Sequence, residues 1–133
     1  MRLRPVESAL SANYLQKAAE CLQGARDAIG REHGNAVVIN AVHCGISAAD
    51  ALTVFFKGVR HAGERHEDAI ALLRTLDFEQ AELAQKARQL QRLLQIKNEA
   101  EYEEKLLRRK DAEAAVLDAE RFLTWAKSKL ATR

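Results

Sequence analysis

The chain has almost nothing that breaks helices. It has one proline, six glycines and 5% aromatic residues in 133. β-Branched residues are few as well, while Ala, Leu, Glu, Lys, Arg and Gln abound. That mixture disfavours strands and favours helix. The only two cysteines, Cys21 and Cys44, fall inside apolar-periodic segments. They read as buried free thiols and not as a secreted disulfide framework. The N-terminus, MRLRPVESAL, lacks the apolar core of a signal peptide. No run approaches 18 uninterrupted apolar residues, so no membrane span and a cytoplasmic location are expected. A net charge of +2, from 21 basic and 19 acidic residues, is too small to imply a nucleic-acid partner by itself.

What is present is a sizeable apolar share, 47%, beside 30% charged residues. That balance belongs to a single folded domain. Apolar periodicity places a first helix from a cap at Ser8 or Ser11, through Leu15, Ala18, Leu22, Ala25 and Ile29, to a glycine end at Gly30 and Gly34. Asn35 is the expected cap of a second helix that reaches Lys57. It carries two apolar stripes, Val38–Val42–Gly45–Ala49–Leu52–Phe56 and Ala41–Cys44–Ala48–Ala51–Phe55. A helix apolar over most of its circumference sits at a bundle centre, and Gly45 would let a neighbour approach closely.

Gly58 opens a linker, KGVRHAGERH, read as a solvated loop. A short helix is expected from Glu64 to Leu76. A fourth, capped by Asp77, carries Leu83, Ala87, Leu90 and Leu94 and ends between Ile96 and Asn98. Asp111 caps the last helix, whose buried face is Ala112, Val116, Ala119, Phe122, Ala126 and Leu130, with Leu123 and Trp125 near its edge. The expected fold class is all-α: an antiparallel, up-down bundle of four long helices and one short one, over residues 8–130.

Few residues offer chemistry. Asn40, His43, Ser47 and Asp50 share one narrow face of the second helix. They form either a wetted face or a polar seam along a cleft, in which His43 can move protons near neutral pH. His43 and Asp50 are two turns apart and do not make a dyad. His61 and His66 are five apart, a poor match to helical metal spacing, so no metal and no cofactor are expected. The run Lys105, Arg108, Arg109, Lys110 follows Glu99, Glu101, Glu103 and Glu104, which offset its field, and reads as a solvated connector.

The order of these features resembles the HEPN domain family (higher eukaryotes and prokaryotes nucleotide-binding). The likeness runs through SANYLQKAAECLQGARDAI, GNAVVINAVHCGISAADAL and GERHEDAIALL. It continues in KNEAEY and in DAEAAVLDAERFLTWAKSKL, where Ala119 and Phe122 match an Ala-x-x-Phe element. The resemblance implies a homodimer and, in many members, metal-independent ribonuclease activity. The signature is an arginine, four to six residues, then a histidine. Here Lys97 stands at the arginine position and Tyr102 at the histidine position. Lysine lacks the bidentate fork, and an ordinary tyrosine is a poor base at pH 7. The resemblance therefore implies a non-catalytic domain that dimerises and binds a partner protein, RNA or a nucleotide through Asn40, His43, Ser47, Asp50, Lys97, Asn98 and Tyr102, in a toxin–antitoxin or defence-type setting. A ribonuclease with a rewritten site that uses His43, and an unrelated helical scaffold or adaptor, are the competing expectations.

Overall fold

The computed structural model describes residues 1–102, 104 and 106–131. Glu103 and Lys105, the third acidic and first basic members of the charged run, lie outside the described residues. Helix α1 spans Ser11–Gly30, α2 Gly34–Lys57, α3 His66–Leu73, α4 Gln80–Tyr102 and α5 Arg109–Ala131. A 3-10 turn over Ser8–Leu10 precedes α1. The expected fold class holds: the long helices form an up-down bundle and α3 is the short fifth.

Helix α2 is the hub and packs against α1, α5, α4 and α3. Its Val37, Val38, Ala41, Val42, Ala48, Leu52 and Val54 are all but sealed from solvent. It is long and apolar enough to cross a bilayer, yet 78% of its most apolar window is buried inside the bundle, as expected of a core helix. Gly45 explains how close α4 comes. A Cβ there would lie 2.8 Å from Leu90 Cδ2 and 3.2 Å from Leu93 Cδ1. Phe122 of α5 is the largest sealed side chain. Leu123 and Trp125, expected near the edge, are buried as well. Trp125 can be buried because its Nε1–H donates to Glu82 at 3.0 Å. Cys44 is buried, and that burial pushes its thiol up to about 12. Cys21 is half-buried and also free.

Several element ends depart from the sequence expectation. Helix α1 does not end on a left-handed glycine. Glu32 adopts that conformation, with φ 60°. His33 N–H donates to Ala28 O and Glu32 N–H to Ile29 O, the two bonds of a Schellman ending. Because that turn delivers the chain directly into α2, His33 takes the cap position and Asn35 falls inside the first turn, its Oδ1 buried without a hydrogen bond. Asp77 does not cap α4. Glu79 does, its carboxylate accepting the N–H groups of Ala81 and Glu82. Helix α5 starts at Arg109, so Asp111 lies in its first turn and accepts from Arg108 Nε. Helix α4 runs on to Tyr102, because NEAEY contains no breaker and good helix formers extend what packing has nucleated.

The largest departure is the linker. Val59–His61 is a strand, β2, paired antiparallel with β1, Leu3–Pro5. Gly58, at φ 68°, ends α2 in the left-handed conformation and turns the chain into β2. Three-residue strands are too short to show alternation, so no sequence pattern announces them.

Two substitutions test these packing statements. Glu32→Gly removes the strain of a left-handed non-glycine residue and should raise unfolding free energy by about 0.5–1 kcal/mol. Gly45→Val drives methyl groups into Leu90 and Leu93 and should lower it by about 1–3 kcal/mol. Urea unfolding followed by circular dichroism reads both. A stabilised Gly45→Val would contradict the close α2–α4 approach.

Candidate functional site

The polar face of α2 is not uniform. Asn40 turns inward toward α1: its Nδ2 donates to Ala36 O at 3.0 Å, and its Oδ1 would be 3.1 Å from a Cβ on Gly24. It packs a helix crossing. His43, Ser47 and Asp50 line a hollow of about 180 Å³ together with Tyr14, Lys17, Ile46 and Arg60. His43 is exposed and Ser47 half-buried, whereas Asp50 is only 4% exposed.

Asp50 is the one carboxylate α2 buries, and its partners come from β2. His61 Nδ1 lies 3.4 Å from Asp50 Oδ1, and an Arg60 guanidinium nitrogen 3.6 Å from Oδ2. His61 is 2% exposed. The expectation of a solvated histidine loop is therefore wrong. A buried carboxylate needs compensating charge or donors, and β2 carries both to it. The contacts are long, however. His61 Nδ1 and Arg60 Nε are both buried without a hydrogen-bond partner. Arg60 also stands over the Tyr14 ring at 5.7 Å, and Lys17 over the same ring at 5.4 Å.

His66, the first residue of α3, joins this region to α4. Its ring meets His43 edge-on with centroids 6.1 Å apart. Burial, the Lys97 ammonium, and the His43 and His61 side chains hold its pKa below the ordinary histidine value, with burial the largest cause. Lys97 itself is bound by Glu101 at 3.2 Å. Between α3 and α4, Asn98 and the exposed Tyr102 line a groove of about 630 Å³ with Glu67, Ile70, Gln91, Leu94, Gln95 and Glu99, and Lys97 is not among its lining residues. A step of five positions along the helix places Lys97 and Tyr102 about 140° apart around the axis. They face different surroundings. Among the described basic residues near the connector, Arg108 pairs with Asp111 and Arg109 with Glu113.

A family model of the HEPN domain matches residues 11–129. The chain belongs to the HEPN domain family. No curated protein matches it. Membership points to a nucleotide- or RNA-related role and agrees with the helical fold. Within this HEPN domain five of the seven residues singled out from sequence fall into two groups, and two stand apart. His43, Ser47 and Asp50 share one hollow; Asn98 and Tyr102 share the other groove; Lys97 lies toward His66, and Asn40 is structural. Sequence reasoning missed Arg60, Tyr14 and Lys17, and weighed His61 and His66 only as a poorly spaced metal pair. One signal was available. Arg60 and His66 are separated by five residues, the spacing of the arginine–histidine signature, in the linker that reads as loop.

The His66 shift has a pH consequence. Its folded-state pKa lies below its unfolded one, so the folded chain holds fewer protons between the two. Its contribution to stability is complete above about pH 6.5 and is lost as pH falls toward the folded value. The wild-type urea midpoint should drop between pH 7.5 and 5.5 by more than that of His66→Gln. Lys97→Met should move the His66 imidazole titration, followed by NMR, upward toward its ordinary value. A His66 titration unmoved by that change would mean that Lys97 does not face it.

Proposed function

We propose that this HEPN domain is a non-catalytic binding module: a cytoplasmic homodimer that engages RNA or a nucleotide, or a partner protein, in a toxin–antitoxin or defence-type role. The working unit is one domain over residues 8–130. The observation that carries this reading is the separation of Lys97 from Tyr102. The lysine is neutralised by Glu101 and looks toward His66, while the tyrosine is 81% exposed above a different groove. General acid–base chemistry needs its groups within hydrogen-bond reach of one reacting site. These two groups do not share one within a chain.

A second reading, a ribonuclease with a rewritten site, draws support from one arrangement. His43 and His66 are in edge contact, and Arg60 lines the same hollow as His43. Two imidazoles beside a guanidinium supply the proton relay and the charge stabilisation that phosphodiester cleavage needs.

Light scattering and incubation with mixed RNA in chelator separate the two. The first reading expects a dimer that retains RNA and leaves it intact. Cleavage that survives Lys97→Ala and Tyr102→Phe but disappears in His43→Ala would replace it with the second. A monomer with no affinity for RNA or nucleotides would leave a scaffold or adaptor role for this HEPN domain.

A further inference from the structure

The hollow between α1, α2 and β2 has more positive charge and more donors than the fold uses. Lys17 projects from the exposed side of α1 and has no carboxylate partner among the described residues. Its ammonium rests 5.4 Å from the Tyr14 ring centroid. Arg60 stands over the same ring from β2, 5.7 Å from its centroid, so one tyrosine carries two cations from separate elements. Arg60 Nε is buried with no hydrogen bond. The Ser47 hydroxyl and the His43 imidazole line the same wall. Asp50 also lines it, but its oxygens are turned to His61 at 3.4 Å and Arg60 at 3.6 Å. Its role there is to hold the guanidinium in place.

We infer that this hollow binds a terminal phosphate monoester, with Lys17 and Arg60 as its cations and Ser47 and His43 as further donors. The volume, about 180 Å³, is enough to seat a phosphate group. A monoester carries about −1.5 to −2 charge near neutral pH and offers three strong acceptor oxygens. A phosphodiester within a chain carries one charge and offers two non-bridging oxygens. Two cations and two further donors around a small hollow suit the first. Guanidinium and ammonium together provide the charge-assisted contacts that phosphate favours. Asp50 acts as a positioning residue for Arg60, not as a contact to the ligand. The inference rests on the nucleotide- or RNA-binding reading only for what carries the phosphate.

Titration of the whole chain with ribose 5-phosphate, followed by NMR, tests it. Saturable shifts are expected at Tyr14, His43, Ser47 and Arg60. The methyl diester of the same sugar phosphate should bind at least roughly tenfold more weakly. Lys17→Gln should weaken the monoester by roughly tenfold or more while leaving the spectrum of the core unchanged, because Lys17 is exposed. Shifts that miss these residues, a diester that binds equally well, or an unaffected Lys17→Gln variant would each overturn the inference. An oligoribonucleotide with a 5′-phosphate and the same strand with a 5′-hydroxyl distinguish the sources. Preference for the phosphorylated strand identifies an RNA end as the carrier. Ribose 5-phosphate binding without RNA binding keeps the site and removes the RNA reading. Equal RNA binding by both strands, with no response to ribose 5-phosphate, removes the site and keeps the RNA reading.

Discussion

Helix α2 must be buried around nearly its whole circumference, and the other elements are arranged by that need. An apolar cylinder of 24 residues has no solvent face to spare, so α1, α4, α5 and the short α3 have to enclose it. Small residues set how closely they do so. Gly45 admits the Leu90 and Leu93 side chains of α4. Where α1 crosses, Gly24 gives way to the Asn40 amide. The core is therefore built from close approach along α2 as much as from large side chains, and among the described residues Phe122 is the one fully sealed Phe, Tyr or Trp ring.

The exception to that apolar surface explains the rest of the architecture around the hollow. Asp50 is a carboxylate on a core helix, and an unpaired buried charge is costly. The chain answers by leaving α2 at Gly58, turning back as β2, and laying Arg60 and His61 beside it. Pairing with β1 holds that strand in register. The compensation is incomplete, because Arg60 Nε and His61 Nδ1 stay without hydrogen bonds. Buried polar networks that are only partly satisfied are unusual in native folds and cluster where a site has another use. This one lies beside the exposed His43, Lys17 and Tyr14.

Family membership and site geometry bear on function at different levels. The HEPN match spans residues 11–129 and carries the fold and a nucleotide- or RNA-related role. Chemistry depends on where individual side chains go. Because α4 continues unbroken to Tyr102, Lys97 and Tyr102 are fixed on one rigid helix about 140° apart. Had the helix ended at Ile96, a flexible segment could have brought the two together. Lys97 instead sits against Glu101 and adds to the burial that holds the His66 pKa below the ordinary histidine value.

The sequence by itself determined the helices, their order and the central place of α2. These are written in local propensity and in a period of 3.6, and both can be read without knowing what a residue touches. It also determined that Gly45 would be a point of close approach and that His43, Ser47 and Asp50 share a face. Element ends were less legible. Glu32 takes the left-handed position beside two available glycines, and Glu79 caps where Asp77 was nearer to hand, because the entry angle of the next helix decides which residue is placed to bond. Only the tertiary structure decided the site. Asp50 is paired with residues ten and eleven positions on, through a strand too short to leave a pattern. His66 meets His43 across a helix boundary, and Lys17 and Arg60 each contact the Tyr14 ring from different elements. Such juxtapositions arise from how elements pack around α2, and periodicity within one element contains no information about them.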